Sequence, residues 1–179
     1  MPLIATWTPD DALLDVMVPL GLAVCAGTAI VIDTDPEGPV APGGSTLAKL
    51  AADGPTRADL EPRSGAAAFL PNGGIEVTDA ADIVAAFAAR WPAVVLRCPP
   101  RRPRPKGSVL FAPLLPEPWG RRANGPTVYQ RTPVSPTSDP GTLVLPTPRP
   151  GTIRSLIAGR KPPVRDRWLR RLAQVWKSA

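Results

Sequence analysis

Ala29-Ile30-Val31-Ile32 runs without a break into Asp33-Thr34-Asp35-Pro36, and two carboxylates one residue apart at the end of a β-branched run could do chemistry. A continuous apolar run of this kind reads as a strand of a parallel sheet, buried on both faces. The C-terminal ends of such strands are where α/β proteins hold their ligands, so Asp33 and Asp35 suit a divalent cation and, through it, a phosphate. The plainer reading is a strand that ends in a solvated Asp-Pro turn. Histidine contributes to neither, because the chain contains none. Histidine triads, imidazole zinc sites and histidine general bases are therefore excluded. The two cysteines, Cys25 and Cys98, lie inside apolar runs and read as small buried hydrophobes in a reducing cytoplasm rather than as a disulfide.

The elements that must position these carboxylates can be read in order. Pro2–Trp7 is short and apolar, a candidate first strand. Thr8-Pro9-Asp10-Asp11 reads as a helix start, with Thr8 as N-cap, Pro9 in the first turn and acids where the helix dipole favours them. The helix that follows is apolar almost all round, with a bend expected at Pro19 and an end at Gly27. Residues 16–32 carry no charge, but they are too short and too rich in glycine and proline for a membrane span. The acids at Asp10, Asp11 and Asp15 are the opposite of a secretory leader. Further on, Ser45 is expected to cap a helix over Thr46–Ala52, Ala66–Leu70 to form a strand, Asp79 to open a helix over Ala80–Arg90, and Ala93–Leu96 to form another buried strand. Strand and helix alternate, which predicts an α/β fold with a mostly parallel sheet and flanking helices.

Charge and proline divide the chain near Cys98. Residues 1–100 carry 5 Lys and Arg against 12 Asp and Glu, a net of −7, while residues 101–179 carry 16 against 3, a net of +13. Of 26 prolines, 16 follow Cys98, too many for ordinary helices and central strands. This predicts an α/β domain over residues 1–116, in which Val109–Pro116 can return as a strand. A proline-rich irregular segment over 117–151 and a basic helical segment over 152–179 follow.

Over residues 1–100 the succession "PLIATW", an apolar helix, "AIVIDTDPEG", "STLAKLAADGPTRADL", "AAAFLPNGG", a helix and "AVVLRCPP" resembles the ParA/MinD group of P-loop ATPases, which position chromosomes, division sites and polar machines. The resemblance implies a P-loop NTPase-like, Rossmannoid fold. In that group the first strand leads into a Gly-Lys-rich phosphate loop, the second ends in Asp-x-Asp-Pro, and a later one ends in Asp-x-Pro-Pro. Here the loop position holds Trp7-Thr8-Pro9-Asp10-Asp11-Ala12-Leu13-Leu14. It has no glycine to turn backbone N–H groups onto a phosphate and no lysine to neutralise one. The later acid falls on Arg97, giving Arg-Cys-Pro-Pro. Asp33 and Asp35 are then vestigial cofactor-binding candidates. A pseudo-ATPase is expected, with no cofactor, no metal and no catalytic residue, acting as an interaction or regulatory protein. Arg97 and the Asp33/Asp35 pair are expected to face each other across one sheet edge as an internal ion pair. The alternatives are an active nucleotide-dependent localisation switch with an unusual phosphate loop, or a basic protein that binds nucleic acid or a membrane surface.

The final segment carries the candidate interaction residues. Thr152 is expected to cap Ile153–Ala158, and a helix is expected over Val164–Lys177. Trp168, Leu172 and Trp176 fall on one face of it, with Arg167, Arg170 and Arg171 mainly outside that stripe. Such a helix either docks on its own domain or another copy, or binds a protein partner or an anionic membrane surface from a cytoplasmic, membrane-peripheral position. Nucleic acid ranks behind these, since no binding module accompanies the charge.

Overall fold

The computed structural model describes residues 2–39, 44–62, 67–120, 124–163 and 165–177. Seven parallel strands form one sheet: β1 (Leu3–Trp7), β2 (Ala29–Asp33), β3 (Ala67–Leu70), β4 (Val94–Arg97), β5 (Val109–Leu114), β6 (Thr127–Arg131) and β7 (Val144–Leu145). Their spatial order is β3-β2-β4-β1-β5-β6-β7. The chain builds one side of β1, returns through β4, and then builds the other side from β5 onward. The ends of β1 and β4 thus lie where the order reverses, the place at which open α/β sheets form a crevice.

The helices are α1 (Ala12–Ala26), α2 (Leu47–Asp53), α3 (Arg57–Leu60), α4 (Ala81–Arg90), α5 (Pro150–Ile157) and α6 (Arg167–Leu172), with 3₁₀ turns at Val77–Ala80 and Ala173–Lys177. One face of the sheet packs Ile4, Val31, Val95, Phe111, Val128 and Leu145 against α1, α5 and α6. The other packs Ile30, Ile32 and Val94 against α2 and α4. Continuous apolar runs in β1, β2 and β4 follow from burial on both faces. No helix among the described residues is long and apolar enough to cross a membrane, and residues 16–32 divide into the end of α1 and all but the last residue of β2.

Several boundaries differ from those expected. Asp11, not Thr8, caps α1, its Oδ1 accepting from the N–H groups of Leu13 and Leu14 at 2.9 and 3.0 Å. Pro9 is thereby left ahead of the helix. Thr46, not Ser45, caps α2. Ala66 and Val164, named in the strand and helix expected there, lie outside the described residues. Residues 117–151 were expected to be irregular, yet they carry β6 and β7, and β6 pairs with β5 from Leu110↔Thr127 to Leu114↔Arg131. The connections from β5 to β6 and from β6 to β7 contain no described helix. These connections are rich in proline, which disfavours helix interiors, and without helices between them the strands carry little signal in the sequence.

Candidate functional site

Register fixes the site. β4 pairs with β1 up to Thr6↔Arg97 and with β2 up to Asp33↔Arg97, so Thr6, Arg97 and Asp33 form one row across three strands at their C-terminal ends. Alternation along each strand points this row to the same face as Ile4, Val95 and Val31, the face that α1 covers. There it meets Asp15, from the first turn of α1.

Arg97 is the centre of the cluster. Its Nη1 donates to Asp33 Oδ1 at 2.8 Å, and its Nε and Nη2 donate to Asp15 Oδ2 at 3.0 and 2.5 Å. Asp35 Oδ2 stands 3.6 Å from Nη1. Arg97, Asp15 and Asp33 are 7%, 5% and 0% exposed, so two carboxylates share one guanidinium out of water, with the partly exposed Asp35 beside them. The strand ends beneath are tied together: the Thr34 N–H and hydroxyl both donate to the Arg97 carbonyl at 2.9 and 2.8 Å, and the Cys98 N–H donates to the Thr6 carbonyl at 2.9 Å.

The electrostatics follow first from burial and then from the excess of negative charge. Burial pushes the Asp15 carboxyl up to about 6, against the pull of Arg97. Burial also raises Asp33, outweighing the Asp35 N–H and the Arg97 charge. Burial works against the Arg97 charge as well, but Asp33 and Asp15 more than offset it and hold the guanidinium above its usual value. The arginine therefore keeps its charge while the acids compete for it, and a proton on one of them relieves the cluster. Cys98, next along β4, is pushed by burial up to about 12, and its thiol is not a nucleophile near neutral pH.

The polar atoms at these strand ends are largely engaged by the chain itself. Asp33 Oδ2 is a buried oxygen with no hydrogen-bond partner, but it faces Gly38, where an added Cβ would lie only 2.2 Å away. Its sister oxygen is taken by Arg97 and by the Asp35 N–H at 3.0 Å. No group of three or more His, Cys, Asp or Glu among the described residues is arranged to hold a metal ion. At the start of α1, where an anion would be received, the Asp11 carboxylate already accepts two of the free N–H groups.

Loops close over the strand ends. Asn72 donates to the Asp33 carbonyl at 3.4 Å and accepts from the N–H groups of Gly74 and Ile75 at 2.8 and 2.7 Å. Gly73 between them has φ +81°, which favours glycine. In the Pro/Arg segment, Arg102 forms two bonds to Glu76 at 2.6 and 2.7 Å, and Trp7 Nε1 donates to the Arg102 carbonyl at 3.2 Å. Arg104 donates to the carbonyls of Asn124, Ser108 and Pro126 at 2.7, 2.6 and 2.8 Å.

The structure brings together Arg97, Asp33 and Asp35, as the sequence suggested, and adds Asp15. The signal for Asp15 was a lone acid within an otherwise uncharged helix. The expected interaction stripe is found elsewhere and is largely covered. Trp168 and Leu172 are 1% and 0% exposed. Trp168 Nε1 donates to Gln130 Oε1 at 2.8 Å, and Trp176 Nε1 donates to the Leu22 carbonyl at 3.0 Å. A Cβ on Gly21 would lie 2.6 Å from the Trp168 ring and 2.7 Å from Leu172, so that glycine lets α6 approach α1. Trp168 and Leu172 are therefore corrected from partner-facing residues to core residues. The apolar stripe found its partner within the chain. Arg167, Arg170 and Arg171 remain exposed. Neither a known protein family nor a curated protein matches this chain.

Proposed function

We propose that this chain is a non-catalytic interaction or regulatory protein, a pseudo-ATPase on a ParA/MinD-like scaffold. The observation that carries the reading is Arg97, held by Asp33 and Asp15 at the C-terminal ends of β2 and β4. A nucleotide enzyme of this architecture needs a phosphate loop and a hydrated metal at that crevice. Here a guanidinium occupies the strand ends, Gly38 lies close against the unpartnered Asp33 Oδ2, and an aspartate caps the helix that would receive the anion. A fold can outlive its chemistry, because function resides in the site.

Phosphate release from ATP with magnesium tests the reading. No turnover above buffer is expected from the full chain, and Asp33→Ala is expected to change nothing. Turnover that Asp33→Ala abolishes would instead make the chain an active switch with an unusual loop.

A further inference from the structure

An apolar groove runs along one edge of the sheet. Register sets Ala67 beside Ala29 and Phe69 beside Val31, so both β3 side chains point to the face that carries α1. Val31 is fully covered there, yet Phe69 remains 39% exposed. α1 contributes Val16, Leu20 and Val24 to the groove, at helical spacing, and the end of α5 contributes Leu156 and Ile157. Two hollows of about 340 and 250 Å³ share Leu20, Leu156 and Gly159 and so form one trough.

Two features of the trough say what fits it. β3 is the first strand in the sheet order, so among the described residues one edge of its backbone carries no strand. The trough also has a charged end. Arg160 and Lys161 border one hollow, both exposed, while Arg97, already paired with Asp15 and Asp33, lines the other; among the described residues no carboxylate lines the trough and neither Arg160 nor Lys161 forms an ion pair.

We propose that this trough docks an extended apolar peptide segment of another protein, pairing with the edge of β3 and setting acidic residues at one end against Arg160 and Lys161. Strand addition gives affinity through the backbone, and alternate side chains fill Phe69's side of the groove. A second copy offers no acid from the same surface to answer the two cations, and a flat bilayer satisfies neither a concave trough nor a strand edge. The proposal rests on the interaction-protein reading. Arg97 borders both sites, but the two readings fail separately, because nucleotide binding is read as heat lost in Asp33→Ala and peptide docking as amide shifts on β3 lost in Phe69→Asp.

The test titrates the isotope-labelled full chain with two short synthetic peptides of the same alternating valine-threonine sequence, one ending in glutamates and the other in lysines. The glutamate peptide is expected to shift the amides of Ala67–Leu70 and of the α5 end. Arg160→Glu with Lys161→Glu should weaken it about tenfold and favour the lysine peptide instead. Phe69→Asp, at an exposed position, should abolish docking without changing the amide spectrum elsewhere. The proposal is overturned if neither peptide shifts these amides, if charge reversal changes nothing, or if Phe69→Asp instead removes only self-association or anionic-vesicle binding.

Discussion

At the scale of single residues, Arg97 decides what the strand ends can do. It is the only positive charge facing Asp15, Asp33 and Asp35 within 4 Å among the described residues. Removing it leaves buried acids facing each other. Arg97→Met is therefore expected to cost about 3–5 kcal/mol in urea unfolding at neutral pH, and less near pH 4, where the acids take up protons. Asp15 sets the pH dependence. Its folded value of about 6 lies above the ordinary 3.8, so between those values the folded chain binds more protons than the unfolded one. The stability this group contributes is full below about pH 4 and is lost as pH rises through about 6. Asp33 shifts in the same direction. Stability should thus fall from pH 4 to pH 7 by on the order of 3 kcal/mol from Asp15, and Asp15→Asn should flatten that slope. A stability that rises across the same range would contradict this balance. Asp33 and Arg97 were legible as a pair because both end buried strands. Asp15 was not, because its facing depends on the phase of a helix apolar on nearly every side.

At the scale of elements, α6 is part of the core. Gly21 brings α1 close enough for Trp168 and Leu172 to pack on it, and Gln130 of β6 receives the indole N–H. Gln130 also donates to the Pro146 carbonyl at 2.9 Å, so one side chain links β6, the turn after β7 and α6. Trp168→Ala should cost about 3–5 kcal/mol, and Gly21→Val about 1–3 kcal/mol through overpacking. Both are read as a lower melting temperature. Unchanged melting in either variant would mean that α6 does not dock as described. The amphipathic spacing of Trp168, Leu172 and Trp176 was legible, but what covers a stripe is a property of the whole fold. The strands β1, β2 and β4 were legible because burial on both faces writes a continuous apolar run. β6 was not: in Thr127-Val128-Tyr129-Gln130-Arg131 only Val128 and Gln130 are buried, and one of those is polar.

At the scale of the whole molecule, the two halves of opposite charge are partners. Arg102 pairs with Glu76 and Arg101 with Glu37, while the acidic half supplies Asp33 and Asp15 to its own Arg97. Some of the basic charge is thus answered inside the fold. Exposed pairs such as Arg101–Glu37 contribute little to stability and weaken with salt, so they set how the Pro/Arg loop lies rather than whether the sheet forms. The exposed Arg167, Arg170 and Arg171 give the outer side of α6 a positive surface. The parallel sheet is continuous from the acidic half through β5 to β7, and the division of the sequence at residue 116 falls between two strands of that sheet. Composition marked where helices give way to proline-rich crossovers, and those crossovers still deliver strands in register.

The claim on which the rest depends is that the crevice beside the end of β4, between β1 and β2, is closed by the chain's own arginine. Isothermal titration of the full chain with ATP and with ADP, in the presence of magnesium, tests it most directly. The account predicts no saturable heat through the millimolar range, for the chain as it stands and at both pH 5 and pH 8. Saturable binding at micromolar concentration, lost in Asp33→Ala, would show that Arg97 moves aside and that the crevice is a nucleotide site.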